Sequence, residues 1–230
     1  MRVSIVMPTL NEERGLERTL SRTVASPFHE IVVVDGNSHD RTRDIVAAFQ
    51  AAWPVVALLV SEPGRARQMN AGAAVCSGEV LLFLHADTLL PDGALAAMEN
   101  ALRDARCVGG RFDVQFDPDT GYGRLIAGLM NWRSRWSGIA TGDQALFVRR
   151  AVFERLGGFA DLPLMEDIQF SRRLKREGTI ASLRLKAVTS YRRWHSSGPV
   201  RTILLMWLLR TLYWVGISPH TLIRMYGHVR

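Results

Sequence analysis

The chain is 230 residues long and 47% hydrophobic, enough to bury one substantial core, and nothing in that length forces two independent domains. A formal net charge of +7 points to a negatively charged partner, be it a phosphate-bearing substrate, an anionic membrane surface or nucleic acid, without choosing among them. The two cysteines, Cys76 and Cys107, stand far apart with no CxxC pair or Cys/His cluster, which excludes a disulfide framework and a structural zinc site and leaves two buried thiols in a reducing compartment.

The N-terminal stretch MRVSIVMPTLNEE has an apolar run too short for a signal-peptide core and meets acidic residues at once, so a cytoplasmic protein is expected. Within it VSIVMP reads as a strand, and GLERTLSRTV follows as an amphipathic helix. EIVVVDG is a second strand, DRTRDIVAAFQAA a helix opened by a polar cap at Asp40, VVALLV a third strand, GRARQMNAGAAVC a third helix and EVLLFLHAD a fourth strand. Short apolar runs of this kind suit parallel strands covered on both faces, so the first ninety residues predict half of a doubly wound α/β sheet. In such sheets ligands bind beyond the carboxyl ends of the strands, which places Asn11, Asp35, Arg65 and Asp87 on one rim.

Past Pro91 the pattern changes. A helix over DGALAAMENALRDA leads to a β-like GGRFDVQF, a turn at DPDTGYG, a basic and aromatic helix RLIAGLMNWRSRW, and a strand over ATGDQALFVRR. A loop then feeds a helix starting near Glu166, and IASLRLKAVTSYRRW closes the domain as a strand. A mixed sheet carrying acceptor-binding elements is expected. The last stretch, GPVRTILLMWLLRTLYWVGIS, is interrupted by Arg210 and falls short of the ~20 apolar residues a spanning helix needs. Rich in Trp and Leu and flanked by Arg201, Arg224 and Arg230, it packs on the core, on a second copy or on a membrane interface.

The residues with chemistry gather at strand ends. Asp35 ends IVVVDG and Asp87 ends LLFLHAD, where a carboxylate accepts hydrogen bonds from a base or ribose, or ligates a divalent ion beside a pyrophosphate. PTLNEERGL adds Asn11, Glu12 and Glu13. Arg65 and Arg67 open a helix whose N-terminus favours an anion. GYGRLIAG places its third glycine too late for GxGxxG, and no GxxxxGK[ST] occurs, which disfavours dinucleotide oxidoreductases and P-loop NTPases.

The ordered set PTLNEE, VVDG, the Gly/Arg/Asn segment, FLHADT, GDQALFVRR and PLMEDIQF resembles a family 2 glycosyltransferase of the GT-A fold. It is most similar to the small bacterial family 2-like transferases grouped with radical-SAM and selenodomain proteins, and the resemblance covers about residues 2 to 195. It implies a GT-A-like mixed sheet over residues 1–195, a C-terminal helical appendage over 196–230, a nucleotide-diphosphate-sugar donor, a divalent metal (Mn2+ or Mg2+) and inversion at the anomeric carbon. Pro8, Thr9, Asn11 and Glu12 would then line the nucleotide pocket with Asp35 on the base. Arg65, Arg67 and Asn70 would lie along the same pocket, and Asp87 would hold the metal. His85, followed by Ala86, stands where the family's DxD motif usually begins with Asp, a position that more often meets ribose than metal. In LMEDIQF the resemblance implies Asp167 as base with Glu166 as its neighbour. Asp143 is the competing acceptor-side carboxylate, and His195 is a further candidate metal ligand. The acceptor is an unidentified hydroxyl, with a lipid-linked one suited to the basic surface.

Three other readings remain beside this one. A nucleotidyltransferase usually shows a Gly-rich, Lys/Arg-bearing loop after the first strand, where this chain has TLNEERG. A catalytically silent nucleotide-sugar or membrane-binding module is favoured by the His85 departure and disfavoured by intact Asp87, Glu166 and Asp167. Nucleic-acid binding rests only on the Arg and Trp of NWRSRWSG, so no nucleic-acid partner is expected.

Overall fold

The computed structural model describes residues 1–192 and 198–226. Four strands, β1 (Val3–Thr9), β2 (Glu30–Asp35), β3 (Val56–Val60) and β4 (Val80–Phe83), alternate with helices α1 (Leu16–Val24), α2 (Thr42–Ala52) and α3 (Arg65–Val75). All four strands run parallel. Side chains alternate across the sheet. Ile5 and Met7 pack under Leu16, Leu20 and Val46, whereas Val6 and Val34 pack under Met69 and Ala73 of α3. The α3 layer sits so close that a Cβ at Gly72 would fall 2.5 Å from Val6 Cγ1 and 2.8 Å from Val34 Cγ2. Asp40 accepts the Thr42 N–H at 3.0 Å, but the N-cap position of α2 falls one residue later, on Arg41, which offers no side-chain cap.

The second half adds β5 (Thr88–Leu89), α4 (Ala94–Ala101), β6 (Cys107–Asp117), α5 (Gly121–Ser137), a 3-10 turn at Gly142–Gln144, β7 (Leu146–Arg149), α6 (Arg150–Arg155), α7 (Glu166–Glu177) and β8 (Thr179–Ser190). The eight strands form one mixed sheet in the order β3-β2-β1-β4-β7-β6-β8-β5. β7 is inserted antiparallel to both β4 and β6, and β6 runs parallel to β8. This insertion carries the turn at Gly142–Gln144 to the rim formed by the ends of β1, β2 and β4. Cys76 and Cys107 are both free and buried, and burial pushes the Cys76 thiol up to about 12.

Three further sequence expectations are corrected. EVLLFLHAD is strand only to Phe83, because β4 finds its last ladder partners in Val6 and Leu146. Asp87 therefore lies on a loop, closed by the Thr88 N–H bonding to the His85 carbonyl at 3.1 Å. ATGDQALFVRR is strand only over Leu146–Arg149, since its first half turns back on itself: Gln144 Oε1 accepts the Thr141 N–H at 3.2 Å. RAVFER, expected to continue from that strand into a loop, is the short helix α6, whose Val152 and Phe153 bury against Phe83 and Phe170.

At the C-terminus α8 (Pro199–Trp214) and α9 (Pro219–Tyr226) form a pair, and Leu209 and Leu222 pack against Ile139, Met165 and Ile168. Part of the C-terminal segment is thus bound to the chain's own core. No helix among the described residues is long and apolar enough to cross a membrane. The outer face of α5 is apolar at a spacing of three and four: Tyr122, Leu125, Leu129, Trp132 and Trp136 are all exposed, with Trp136 at 82%. Trp132 and Trp136 stack on one another with ring centroids 6.4 Å apart. Leu204, Trp207 and Leu208 of α8 are exposed as well.

Candidate active site

The loops after β1 and β2 lock together. Asn11 donates its N–H to Ser38 Oγ at 2.9 Å and accepts the His39 N–H on Oδ1 at 2.9 Å, while the Glu12 N–H reaches Thr42 Oγ1. Gln68, which the sequence reading passed over, donates from Nε2 to the carbonyls of Thr9 and Val34 at 2.7 Å each and ties α3 to both strand ends. Asp35 is fully buried beneath these loops. Burial works to raise its carboxyl, but hydrogen bonds from Ser38 and Arg43 outweigh burial and hold it below the usual carboxylate range. Arg43 Nε lies 2.6 Å from Asp35 Oδ1 and is itself partly exposed, so the rim here presents an arginine–aspartate pair. Thr9 and Ala86 are buried.

Glu12 and Asp87 approach each other at the β1 and β4 ends, with Arg192 between them at 3.0 Å from Glu12 Oε2 and 3.8 Å from Asp87 Oδ2. Burial lifts the Glu12 carboxyl above its ordinary range, opposed by the Arg192 hydrogen bond and assisted by Asp87. Asp87, Arg192, Arg14, Arg18, Asp117 and Thr189 line a cleft of about 230 Å3.

A second cluster forms on the far side of β4. Arg65 pairs through Nε with Glu166 and through Nη2 with Asp167 at 3.4 Å, and its Nη1 lies 3.4 Å from His85 Nε2. Burial disfavours the charge on Arg65, yet Glu166 and Asp167 together raise its pKa above the ordinary arginine value. His85 Nδ1 in turn faces Asp143 Oδ1 at 3.2 Å. Asp167 also accepts the Gly142 N–H at 3.0 Å and its neighbour Ile168 N–H at 2.7 Å. A Cβ at Gly142 would fall 2.4 Å from His85 Nε2 and 3.1 Å from Arg65 Nη1, so only glycine lets the turn approach this closely. Pro8, Arg65, His85, Gly142, Phe159 and Asp167 enclose a space of only about 10 Å3.

Backbone strain falls at the same rim. Among the described residues four non-glycines have left-handed φ: Asn11, Asn37, Ala145 and Met165. Asparagine tolerates this region, but alanine and methionine pay roughly 1–2 kcal/mol each. Ala145 follows the Gly142–Gln144 turn and Met165 immediately precedes Glu166, so the strain sits where the segments carrying Gly142 and Glu166 close around Arg65 and Asp167.

The structure therefore brings together Arg65, His85, Asp143, Glu166 and Asp167 as one cluster, and Glu12, Asp87 and Arg192 as another. Two arginine-segment residues fall outside both. Arg67 Nε pairs with Asp161 at 3.0 Å, and the Asn70 amide is taken up by the Phe159 backbone, which it both donates to at 2.8 Å and accepts from at 2.9 Å. Both side chains clamp the loop before α7. His195 lies outside the described residues. Gly142, Arg43 and Arg192's partners were not legible as site features, since each acts through a contact distant in sequence.

Among the described residues no three His, Cys, Asp or Glu side chains converge into a metal cage. The donor set nonetheless fits a divalent ion held by one carboxylate: Asp87 is partly exposed on the cleft, and the nearest guanidinium stays beyond hydrogen-bond length.

A parallel βαβ half, an inserted antiparallel strand and carboxylates on both sides of one rim make this a mixed-sheet α/β fold with its candidate site at the strand ends. The sequence profile of glycosyl transferase family 2 matches residues 4–159, and the chain belongs to that family. A probable glycosyltransferase of Bacillus subtilis, YdaM, is 30% identical over 198 residues, 77% of this chain and 47% of that protein. An undecaprenyl-phosphate 4-deoxy-4-formamido-L-arabinose transferase of Pseudomonas savastanoi is 38% identical over 97 residues, 39% of this chain and 29% of that protein. The chain thus spans less than half the length of either. In structure it is similar to the mannosyltransferase PcManGT from Pyrobaculum calidifontis in complex with GDP-Man and Mn2+, with a TM-score of 0.66 and 23% identity over 81% of this chain and 56% of that one. The fold is accordingly GT-A-like.

Proposed function

We infer that this chain transfers a hexosyl group from a nucleotide-diphosphate-sugar to a hydroxyl acceptor with inversion at the anomeric carbon. The observation that carries the reading is the convergence of Asp143, Glu166 and Asp167 on Arg65 and His85, beside the rim that holds Glu12 and Asp87, in a family 2 chain. Pro8, Thr9, Asn11, Glu12, Asp35, His85 and Ala86 surround the nucleotide in this reading, and Arg67 and Asn70 contribute through the loop they clamp. Asp87 would hold Mn2+ or Mg2+, which supplies positive charge to the leaving diphosphate when bound. Asp167 takes the acceptor proton, Glu166 orients Arg65, and Asp143 holds the acceptor or His85. Arg65 links the two halves, because a diphosphate on the donor side competes with Asp167 for its guanidinium. The subgroup of small transferases grouped with radical-SAM and selenodomain proteins belongs to the same reading and rests on motif order.

The test is a thermal-shift panel of UDP, GDP, CDP and dTDP and their sugars, each with Mn2+, Mg2+ or EDTA. One nucleotide at ~100 Kd is expected to add about 2.7 kcal/mol of stability, roughly 5–10 °C in Tm for a chain of this size. A flat response across the whole panel would sink the transferase reading.

A lipid-linked acceptor and contact with the cytoplasmic membrane face complete the proposal, supported by the exposed stripe of α5, the apolar face of α8 and the basic charge. The chain is expected to co-sediment with vesicles of anionic lipid and not with neutral ones, and Trp132→Ser with Trp136→Ser to lose most of that binding. Recovery of the protein in the supernatant with both vesicle types would refute this part, and a concentration-dependent dimer sensitive to the same substitutions would reassign the stripe to self-association.

A further inference from the structure

Among the described residues two arginines, Arg133 of α5 and Arg210 of α8, take part in no ion pair. Met130 of α5 and Ile203 of α8 pack into one apolar cluster around Phe116 and Tyr191. Both helices then run toward the next cluster, where Ile139, just past the end of α5, meets Leu209 of α8. Arg133 stands one turn beyond Met130 and Arg210 two turns beyond Ile203, so helical periodicity returns each to the side where the two helices face each other. Both are half-buried. Among the described residues no ion pair includes either of them, and Nε and Nη2 of Arg133 are buried with no hydrogen-bond partner.

That arrangement costs free energy twice, once for two like charges losing water and once for donors left unpaired. Burial, then the neighbouring Arg210, holds the Arg133 guanidinium down to about 10. Arg210 is lowered by burial too, against the pull of Asp167 and Asp143. Both arginines feel the Asp167 carboxylate, which places them near the cluster that Arg65, Glu166 and Asp167 form. Buried donors that nothing in the fold satisfies are explained when a ligand satisfies them. A guanidinium pair matches a phosphate bidentately, and a phosphomonoester near neutral pH carries enough charge to answer both arginines, whereas a carboxylate answers one.

We propose that Arg133 and Arg210 form a subsite for a phosphomonoester carried by the acceptor. The proposal deepens the transferase reading, on which it depends for calling the ligand an acceptor. The phosphate arises from a lipid headgroup or from a soluble phosphorylated acceptor, and the exposed Trp207, one turn before Arg210 on the same helix, suits a hydrocarbon attached to it.

The test is calorimetric titration of the full chain, with the stabilising nucleoside diphosphate and metal present at saturation to fill the donor side, using n-octyl phosphate, inorganic phosphate and 1-octanol as probes. Octyl phosphate is expected to bind, and Arg133→Gln and Arg210→Gln each to weaken it by about 10–100-fold without changing the response to octanol. Octyl phosphate binding well above inorganic phosphate identifies a lipid headgroup. Equal binding of the two, with the same dependence on both arginines, identifies a soluble phosphate. Phosphate binding unchanged in both variants, or an equal loss for octanol, overturns the subsite. Arg133→Lys and Arg210→Lys keep the charge without the fork and guard against misfolding: folded variants with intermediate affinity support the proposal, and folded variants with wild-type affinity for phosphate in both Gln and Lys forms reject it. A nucleotide panel that stays flat while octyl phosphate still binds in an arginine-dependent way removes the transferase reading and leaves the phosphate subsite standing.

Discussion

Asp167→Asn is expected to lower kcat by about 10²–10⁴-fold while leaving the nucleotide-dependent rise in Tm intact. The substitution keeps the shape of the side chain and an oxygen that accepts the Ile168 or Gly142 N–H, but its amide has no site for the acceptor proton. One amide face also turns N–H groups toward Arg65, which then rests on Glu166 alone. The rate is measurable before the acceptor is known, as slow hydrolysis of the nucleotide sugar by water. Glu166→Gln makes the comparison: Glu166 is buried against Arg65 and out of reach of bulk acceptor, so its loss is expected to disturb KM and stability more than kcat. A kcat unchanged in Asp167→Asn would transfer the base role to Asp143, the other acceptor-side carboxylate.

Asp87→Ala is expected to abolish the metal-dependent part of nucleotide stabilisation and to reduce turnover at least about 10²-fold. Removing the carboxylate leaves Arg192 bound to Glu12 alone, so the fold should tolerate the change, and Tm without ligand should stay within about 1–2 °C of wild type. The contrast with Asp167→Asn is the informative one: Asp87→Ala loses binding of the donor with metal, Asp167→Asn retains it and loses chemistry. A nucleotide shift that persists undiminished in Asp87→Ala, with Mn2+ and with EDTA alike, would show that the donor is held by the arginines alone.

Much of the donor half could be read from the chain because its strands are short apolar runs separated by helices of clear periodicity, and parallel βαβ units put every strand end on one side. β7 escaped that logic. Its antiparallel insertion depends on pairing across distant segments, and ATGDQ, which looked continuous with the strand, instead folds into the turn that delivers Gly142 to Asp167. The acidic residues of LMEDIQF were legible as chemistry, yet their partner was not: Arg65 lies 101 residues from Glu166, and its position at a helix start suggested a phosphate instead. Asn70 shows the opposite limit. An asparagine near a nucleotide motif reads as a ligand contact, whereas here both ends of its amide go to one backbone residue. Arg210 was legible only as a break in an apolar run, and Arg133 gave no signal in sequence, since a basic residue on an aromatic helix is ordinary until its donors are seen buried.

The stacked indoles of Trp132 and Trp136 carry a practical consequence. Standing in water on the outer face of α5, they make up a fluorescent label already built into the chain at the surface whose role is in question. Transfer of the pair into hydrocarbon shifts indole emission to the blue, whereas a ligand filling the rim inside the fold leaves it in solvent. Because Trp53, Trp207 and Trp214 are exposed as well, the difference in emission between the chain and its Trp132→Ser, Trp136→Ser variant isolates the pair and reports arrival at a bilayer without any attached dye.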